Sequence, residues 1–324
     1  MSKKAVITDY VFPDVSIEKD IFKSAGLALV EQKKFEGEDK LIALVADADY
    51  VIVQFAPVNA KVINAMKNCK IIVRYGIGYD NVDIKAAAAK GIPVCNIPDF
   101  CIDEVADHTL AMILAMTRNI VSCWDVIRLD KQWKLPMSMD QMRVLCKMTV
   151  GLVAYGKIAR EVALRLKPFK CKVMVFDPAV DAKIIEKDGF ISASLEEIYT
   201  KSDIISLHCP VTDKTRGMIN SSTIAKMKKG VIFINTSRGD LVKGDDMIAA
   251  LKSGHIAAAA MDVTNPEPIN MDSPLLMRNN VIISAHIASV SASAVKYLRS
   301  AAASLVVMRA QGKKLINIVN GVDV

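Results

Sequence analysis

Three loops of this 324-residue chain carry side chains of the kinds that bind anions and move protons. Arg238 lies in NTSRGDLV (235–242), Asp262 and Glu267 in MDVTNPEP (261–268), and His286 in SAHIAS (284–289). Each loop closes an apolar run: VIFIN before Arg238, AAAAM before Asp262, VIISA before His286. Open α/β sheets bind ligands at the carboxyl ends of their strands, where such loops sit. A lone histidine is more often a satisfied structural residue, and a lone Arg or Glu more often a surface charge. All of them at strand ends of one sheet is poorly explained by chance.

A further strand end has the layout of a phosphate-binding turn, though a merely packed strand–turn–helix reads the same way. TVGLVAYGKIAR (149–160) reads as a strand entering a helix through a glycine turn, with A-x-G-x-x-A where a dinucleotide fingerprint has G-x-G-x-x-G. Gly156 is the position where a side chain would obstruct a pyrophosphate, and it is glycine. Lys157 and Ile158 follow it at the helix N-terminus, which favours anions. Ala159 adds one methyl at a packing contact. Ala154 costs roughly 1–2 kcal/mol if the bend needs positive φ. Asp177 ends the next run, KVMVFD, 21 residues after Gly156, where a carboxylate would bind ribose hydroxyls and repel a 2′-phosphate. NAD is therefore expected rather than NADP.

The elements that must hold these groups are legible as alternation. AVITDY (5–10), YVIVQF (50–55), KIIVRY (70–75) and IPVCNI (92–97) read as strands, with helices from Ser16 toward Gly26 and over 61–69 and 83–91. Residues 103–118 are apolar nearly all round and predict a long buried helix. From Thr149 a second strand–helix alternation runs to VIISA (281–285), and Ser291–Gln311 reads as one long helix. Continuous apolar strands separated by helices mean parallel sheets covered on both faces. The expected fold is α/β, two doubly wound parallel-sheet domains with a cleft between: residues 1–100 plus 291–324, and 101–290.

Composition narrows the function. With 52% hydrophobic and 24% charged residues the chain is too apolar for disorder. The net charge of +7 is dispersed, its densest clusters being Lys33-Lys34, Lys226-Met227-Lys228-Lys229 and Lys313-Lys314. With only 6% aromatic residues and none interleaved with these, a nucleic-acid partner is not expected. No uncharged run is long enough to span a bilayer and no signal peptide is recognisable, so a cytoplasmic protein is expected. Seven cysteines without metal-ligand spacing predict neither disulfides nor a metal site.

With these residues in place, the chain resembles the D-isomer-specific 2-hydroxyacid dehydrogenase family, and its C-terminal-binding-protein-like branch most. The resemblance runs through VRYGIGYDNVDI (73–84), CNIPDFCIDEVADHTLAMILAMTR (95–118), the glycine turn, DIISLHCPVTDKTRGMIN (203–220) and the three charged loops. It implies a flavodoxin-like substrate domain, a Rossmann NAD-binding domain and a homodimer formed through the 103–118 helix and its neighbours. It implies that Arg238, Glu267 and His286 are the catalytic set. Asp262 would lie near the nicotinamide carboxamide and Asp177 at the ribose. Thr109, Cys209, Pro210, Thr236 and Ser237 would make further cofactor contacts. The backbone of Gly76, Ile77 and Gly78 would hold the substrate carboxylate, which Arg238 also binds.

In that chemistry Arg238 orients a 2-oxo acid, His286 exchanges the proton, and Glu267 fixes the ring and favours its protonated form. The loop Gln54–Asn59 has no cation to meet a phosphate, so glyoxylate, hydroxypyruvate or pyruvate is expected before a phosphorylated acid. Alternatives are a phosphoglycerate dehydrogenase and a non-enzymatic, NAD-sensing corepressor-like protein. Ala154, Ala159, Ala285 and Ala288-Ser289 depart from the family pattern without removing a catalytic group. Met137, Met139 and Met142 would line the dimer contact or simply pack locally.

Overall fold

The computed structural model describes residues 2–139 and 142–323. They form two compact units, residues 1–100 with 291–324, and residues 101–290. In the first, β1 (Lys4–Ile7), β2 (Ala28–Glu31), β3 (Tyr50–Val53), β4 (Ile72–Arg74) and β5 (Val94–Cys95) pair in parallel in the order β2-β1-β3-β4-β5. That is the flavodoxin-like order. Successive side chains point to opposite faces, so one apolar run feeds two cores. Ile7, Tyr50, Ile52 and Val73 enter one core. Val6, Val51, Val53 and Ile72 enter the other. The helices are α1 (Ser16–Ser24), α2 (Glu38–Val45), α3 (Ala60–Ala65) and α4 (Ile84–Ala89). Asn59 and Asp83 cap α3 and α4 by accepting from the N–H groups of Val62 and Ala86.

The second unit opens with α5 (Ile102–Thr117) and α6 (Ile120–Arg128). Seven parallel strands follow: β6 (Thr149–Val153), β7 (Lys172–Phe176), β8 (Ile191–Ser192), β9 (Ile204–Leu207), β10 (Val231–Asn235), β11 (Ile256–Met261) and β12 (Val281–Ile283). Between them run α7 (Lys157–Leu166), α8 (Ala182–Lys187), α9 (Leu195–Lys201), α10 (Ser221–Ile224) and α11 (Gly244–Ser253). The strand order is β12-β11-β10-β9-β6-β7-β8, so the winding reverses between β9 and β6. That reversal is where doubly wound sheets bind nucleotides. Val150, Leu152, Ile204 and Ile234 pack under α5 and α7, while Val153, Ile205, Phe233 and Met261 pack with α9 and α11 residues on the other face.

The chain then returns to the first unit. Helix α12 (Ala292–Ala310) lays Leu298, Ala302, Leu305 and Val306 onto the core that holds Ile7 and Tyr50. Beside them the Arg299 guanidinium meets the fully buried Glu18 carboxylate, Nε to Oε1 at 2.9 Å and Nη2 to Oε2 at 2.7 Å. The Tyr75 hydroxyl donates to Glu18 Oε1 at 2.8 Å. Burial, and then the Glu18 charge, push that phenol well above its ordinary pKa, so it stays a donor. Further along, Asn320 Oδ1 accepts from the Val94 N–H, continuing the clasp on β5.

The sequence alternation did not anticipate β2, α2, α6 or β8. Strands β2 and β8 are sheet edges, four and two residues long and partly exposed, so they lack the continuous apolar run of a central strand. Helix α6 leaves Ile120 and Trp124 exposed, which blurs its period. Among the described residues no single helix is long and apolar enough to cross a membrane.

Candidate active site

Strands β12, β11 and β10 are neighbours, so the loops leaving them emerge side by side, with the β9, β6 and β7 loops beyond. Sheet order alone therefore brings Arg238, Asp262, Glu267 and His286 to one edge, next to Cys209, Gly156 and Asp177.

The glycine turn has the form the sequence implied. Ala154 sits at φ +86°, a left-handed backbone that its Cβ opposes. Gly156 is the N-cap of α7 at φ −72°, and a Cβ there would meet no protein atom within 4 Å. Neither strain nor packing calls for glycine at this position. No side chain caps α7, which leaves the first N–H groups, at Lys157 and Ile158, without a side-chain acceptor. Asp177 fastens the turn: Oδ2 accepts from the Tyr155 N–H at 2.7 Å and Oδ1 from the Ala179 N–H at 2.8 Å. Its remaining lone pairs can accept from ribose hydroxyls. Ala159 is fully buried, where a fingerprint's third glycine packs helix on strand.

Arg238 is half-buried and follows Thr236 and Ser237 at the end of β10. Asn235 ties that loop down: Oδ1 accepts from the Ser237 N–H at 3.0 Å, and Nδ2 donates to the Arg238 carbonyl at 2.9 Å. The Ser237 hydroxyl donates to the Cys209 carbonyl at 2.5 Å, joining the β9 and β10 loops. Thr109 of α5 pairs with the Thr236 hydroxyl at 2.9 Å. Burial pushes the Cys209 thiol up to about 11, so it stays protonated; Pro210 beside it is exposed. Next to Arg238, a Cβ on Gly239 would stand 2.0 Å from the Thr264 carbonyl oxygen. This glycine lets the Arg238 loop lie directly against the Glu267 loop.

His286 has φ +53°, which costs a residue with a Cβ on the order of 1–3 kcal/mol and must be held by its surroundings. Asp262 does the holding. Its carbonyl accepts from the His286 N–H at 2.9 Å. Its carboxylate accepts from the Ile287 and Ala288 N–H groups, both at 2.9 Å, and from the Ser284 hydroxyl at 2.5 Å. Asp262 is 2% exposed, and these bonds engage both carboxylate oxygens. The structure thus gives it a loop-clamping part beyond the cofactor contact that the resemblance implied.

His286 Nδ1 stands 2.5 Å from Glu267 Oε1. Burial pushes the Glu267 carboxyl upward, but the hydrogen bond to His286, the His286 charge, the Thr264 backbone and Arg238 outweigh it and hold the acid below its ordinary range. A carboxylate bonded to an imidazole nitrogen fixes the orientation of the ring. The pair, with Arg238 close enough to act on Glu267, can bind an anionic group and exchange a proton with it.

The 76–78 loop belongs to the other unit and follows β4. Gly76 has φ +140°, and a Cβ there would fall 1.6 Å from Arg74 Nη1, so the bend needs glycine. Its N–H is committed to the Arg74 carbonyl at 2.9 Å. Among the described residues, no protein acceptor takes the N–H of Ile77 or Gly78. Arg74 also corrects the picture of the 54–59 loop: its guanidinium lies 6.0 Å from the centre of the Phe55 ring, so a cation from β4 stands by a loop that has none in sequence. Gly239, Ser284 and His108 were missed as well. Their parts depend on loop-to-loop contacts that one-dimensional spacing does not carry.

A model of the D-isomer specific 2-hydroxyacid dehydrogenase NAD binding domain matches residues 110–288. D-3-phosphoglycerate dehydrogenase of Mycobacterium leprae (strain TN) is 37% identical over 288 residues, 87% of this chain and 54% of the relative. Glyoxylate reductase of Korarchaeum cryptofilum (strain OPF8) is 36% identical over 257 residues, 78% of this chain and 74% of the relative. The solved structure of D-lactate dehydrogenase from Aquifex aeolicus, complexed with NAD and lactic acid, superposes with a TM-score of 0.85 at 27% identity, covering 95% of this chain and 96% of that one. The chain spans about half the length of the phosphoglycerate dehydrogenases it matches.

Proposed function

Because this chain belongs to the D-isomer specific 2-hydroxyacid dehydrogenase family, we propose that it is an NAD-dependent oxidoreductase interconverting a small 2-oxo acid and its D-2-hydroxy acid. The observation that carries the reading is the His286–Glu267 pair at 2.5 Å, on the strand edge that also presents Arg238 and the glycine turn.

The residues fit NAD. Gly156 keeps the turn open, the uncapped start of α7 offers N–H groups to the pyrophosphate, and Asp177 takes the ribose while repelling a 2′-phosphate. When bound, the nicotinamide supplies or accepts the hydride. Arg238 binds the carboxylate of the 2-oxo acid and the carbonyl oxygen with its planar fork, stabilising the charge that develops there. His286 gives its proton to the nascent alkoxide, and in oxidation the neutral ring takes it back. Nδ1 is committed to Glu267, so the proton that moves is the one on Nε2. Ile77 and Gly78 supply backbone N–H groups to the substrate carboxylate.

The test begins with titrations of the purified protein with NADH and NADPH, followed by nucleotide fluorescence. Binding of NADH with much weaker NADPH supports the cofactor assignment; no binding of either removes it. Turnover of 2-oxo acids comes next. His286→Gln should cut turnover at least about a hundredfold while sparing NADH binding; unchanged turnover removes His286 from the mechanism.

The first substrate reading is an unphosphorylated acid such as glyoxylate, hydroxypyruvate or pyruvate. A second, a phosphorylated acid of the phosphoglycerate type, is favoured by Arg74 standing over Phe55. Comparing kcat/KM for hydroxypyruvate and its phosphorylated form decides between them. We further propose a homodimer, supported by exposed Ile120, Trp124, Leu129, Trp133 and Met139, all more than half exposed.

A further inference from the structure

Two adjacent residues of α5 each reach one of the catalytic loops. Thr109 holds the Arg238 loop through Thr236. Its neighbour His108 places Nε2 3.0 Å from the Ser284 hydroxyl and 3.7 Å from Asp262 Oδ1. The direction of these bonds follows from what each atom can do. The Ser284 hydroxyl spends its hydrogen on Asp262 Oδ1, which also accepts from the Ile287 N–H. Toward His108 the same oxygen can then only accept, so His108 must carry its proton on Nε2. The chain of donation runs from His108 through Ser284 to Asp262. Asp262 in turn holds the N–H groups of Ile287 and Ala288, and through its carbonyl that of His286. At the end of this chain is a residue whose left-handed backbone needs holding.

We propose that His108 is a positioning residue for His286, acting through Ser284 and Asp262. It rests on the dehydrogenase reading only for the consequence in turnover; the positioning itself is a property of the protein without substrate. His108 fixes the Ser284 rotamer from the α5 side, and Ser284 fixes the Asp262 carboxylate plane that two loop N–H groups read. Losing the first donor lets Ser284 turn, loosens the clamp, and lets the His286 ring leave the line set by Glu267.

The experiment uses His108→Phe, which keeps bulk without the donor, and His108→Gln, whose Nε2 can reach Ser284 from a similar place. In the first, kcat for 2-oxo-acid reduction should fall about tenfold, as a displaced catalytic group would cause, with NADH affinity unchanged. The second should restore most of that loss. The imidazole 1H–15N signals of His286, assigned by their disappearance in His286→Gln, should shift in His108→Phe and return in His108→Gln. Equal failure of both variants, or unmoved His286 signals in His108→Phe, overturns the proposal. A wild-type protein without turnover that still shows the shift and its rescue defeats the enzymatic reading alone, and leaves the positioning role standing.

Discussion

At φ +86° Ala154 holds a backbone that favours glycine, and the half-buried methyl gives back only modest packing. Ala154→Gly should therefore raise stability by about 1 kcal/mol, seen as a thermal midpoint roughly 2–4 °C higher. No rise would mean that the turn is not strained. Glu267 gives a pH dependence of definite sign. Its folded-state acidity lies below the ordinary value of 4.5, with ionisation favoured in the folded protein. The stability it contributes is thus complete above that value and disappears as pH falls through the depressed one. Urea denaturation of wild type and Glu267→Gln should show a gap at neutral pH that closes in strong acid; a gap that widens there contradicts the pairing with His286. At this scale the sequence was informative where one residue ends one strand, as with Arg238 and His286. It marked Asp262 as a strand-end acid but not as a clamp, because its carboxylate meets backbone 25 and 26 residues further on.

Between elements, the tightest constraint is Gly239 against Thr264, where the β10 and β11 loops touch. Gly239→Ala should cost about 1–3 kcal/mol by overpacking. It should also lower kcat/KM more than NADH affinity, because the loops it separates carry Arg238 and Glu267 rather than the glycine turn. Equal losses in both would place the disturbance elsewhere. Central strands such as β3, β6, β9 and β10 were readable because burial on both faces leaves them mostly apolar. The edges β2 and β8 were not, since half their residues face solvent. The long helices α5 and α12 were readable for the opposite reason: each is apolar over more turns than any strand could be.

For the whole molecule, the proposed homodimer through the exposed apolar face around α6 predicts that Trp124→Glu together with Trp133→Lys lowers the mass in analytical ultracentrifugation from dimer to monomer, with NADH binding kept; a wild type that is already monomeric, or a variant of unchanged mass, would remove this contact. The Glu18–Arg299 pair predicts a larger effect on folding. Arg299→Met strands a buried carboxylate and should cost about 3–5 kcal/mol in chemical denaturation. That pair also joins a residue near the start of the chain to one 281 positions later, and the sequence patterns showed both helices without showing the bond. Its consequence is an order of events during synthesis. Once Phe100 has left the ribosome, 191 further residues must be made before α12 begins at 292, on the order of 10–40 s at ordinary elongation rates. Through that interval Glu18 has no Arg299 and the face that α12 covers is bare, while residues 101–290 complete their own sheet with β12 (Val281–Ile283), before α12 begins. Proteolysis of ribosome-stalled chains should find the later segment protected first, and the first hundred residues in the care of chaperones until the last helix arrives.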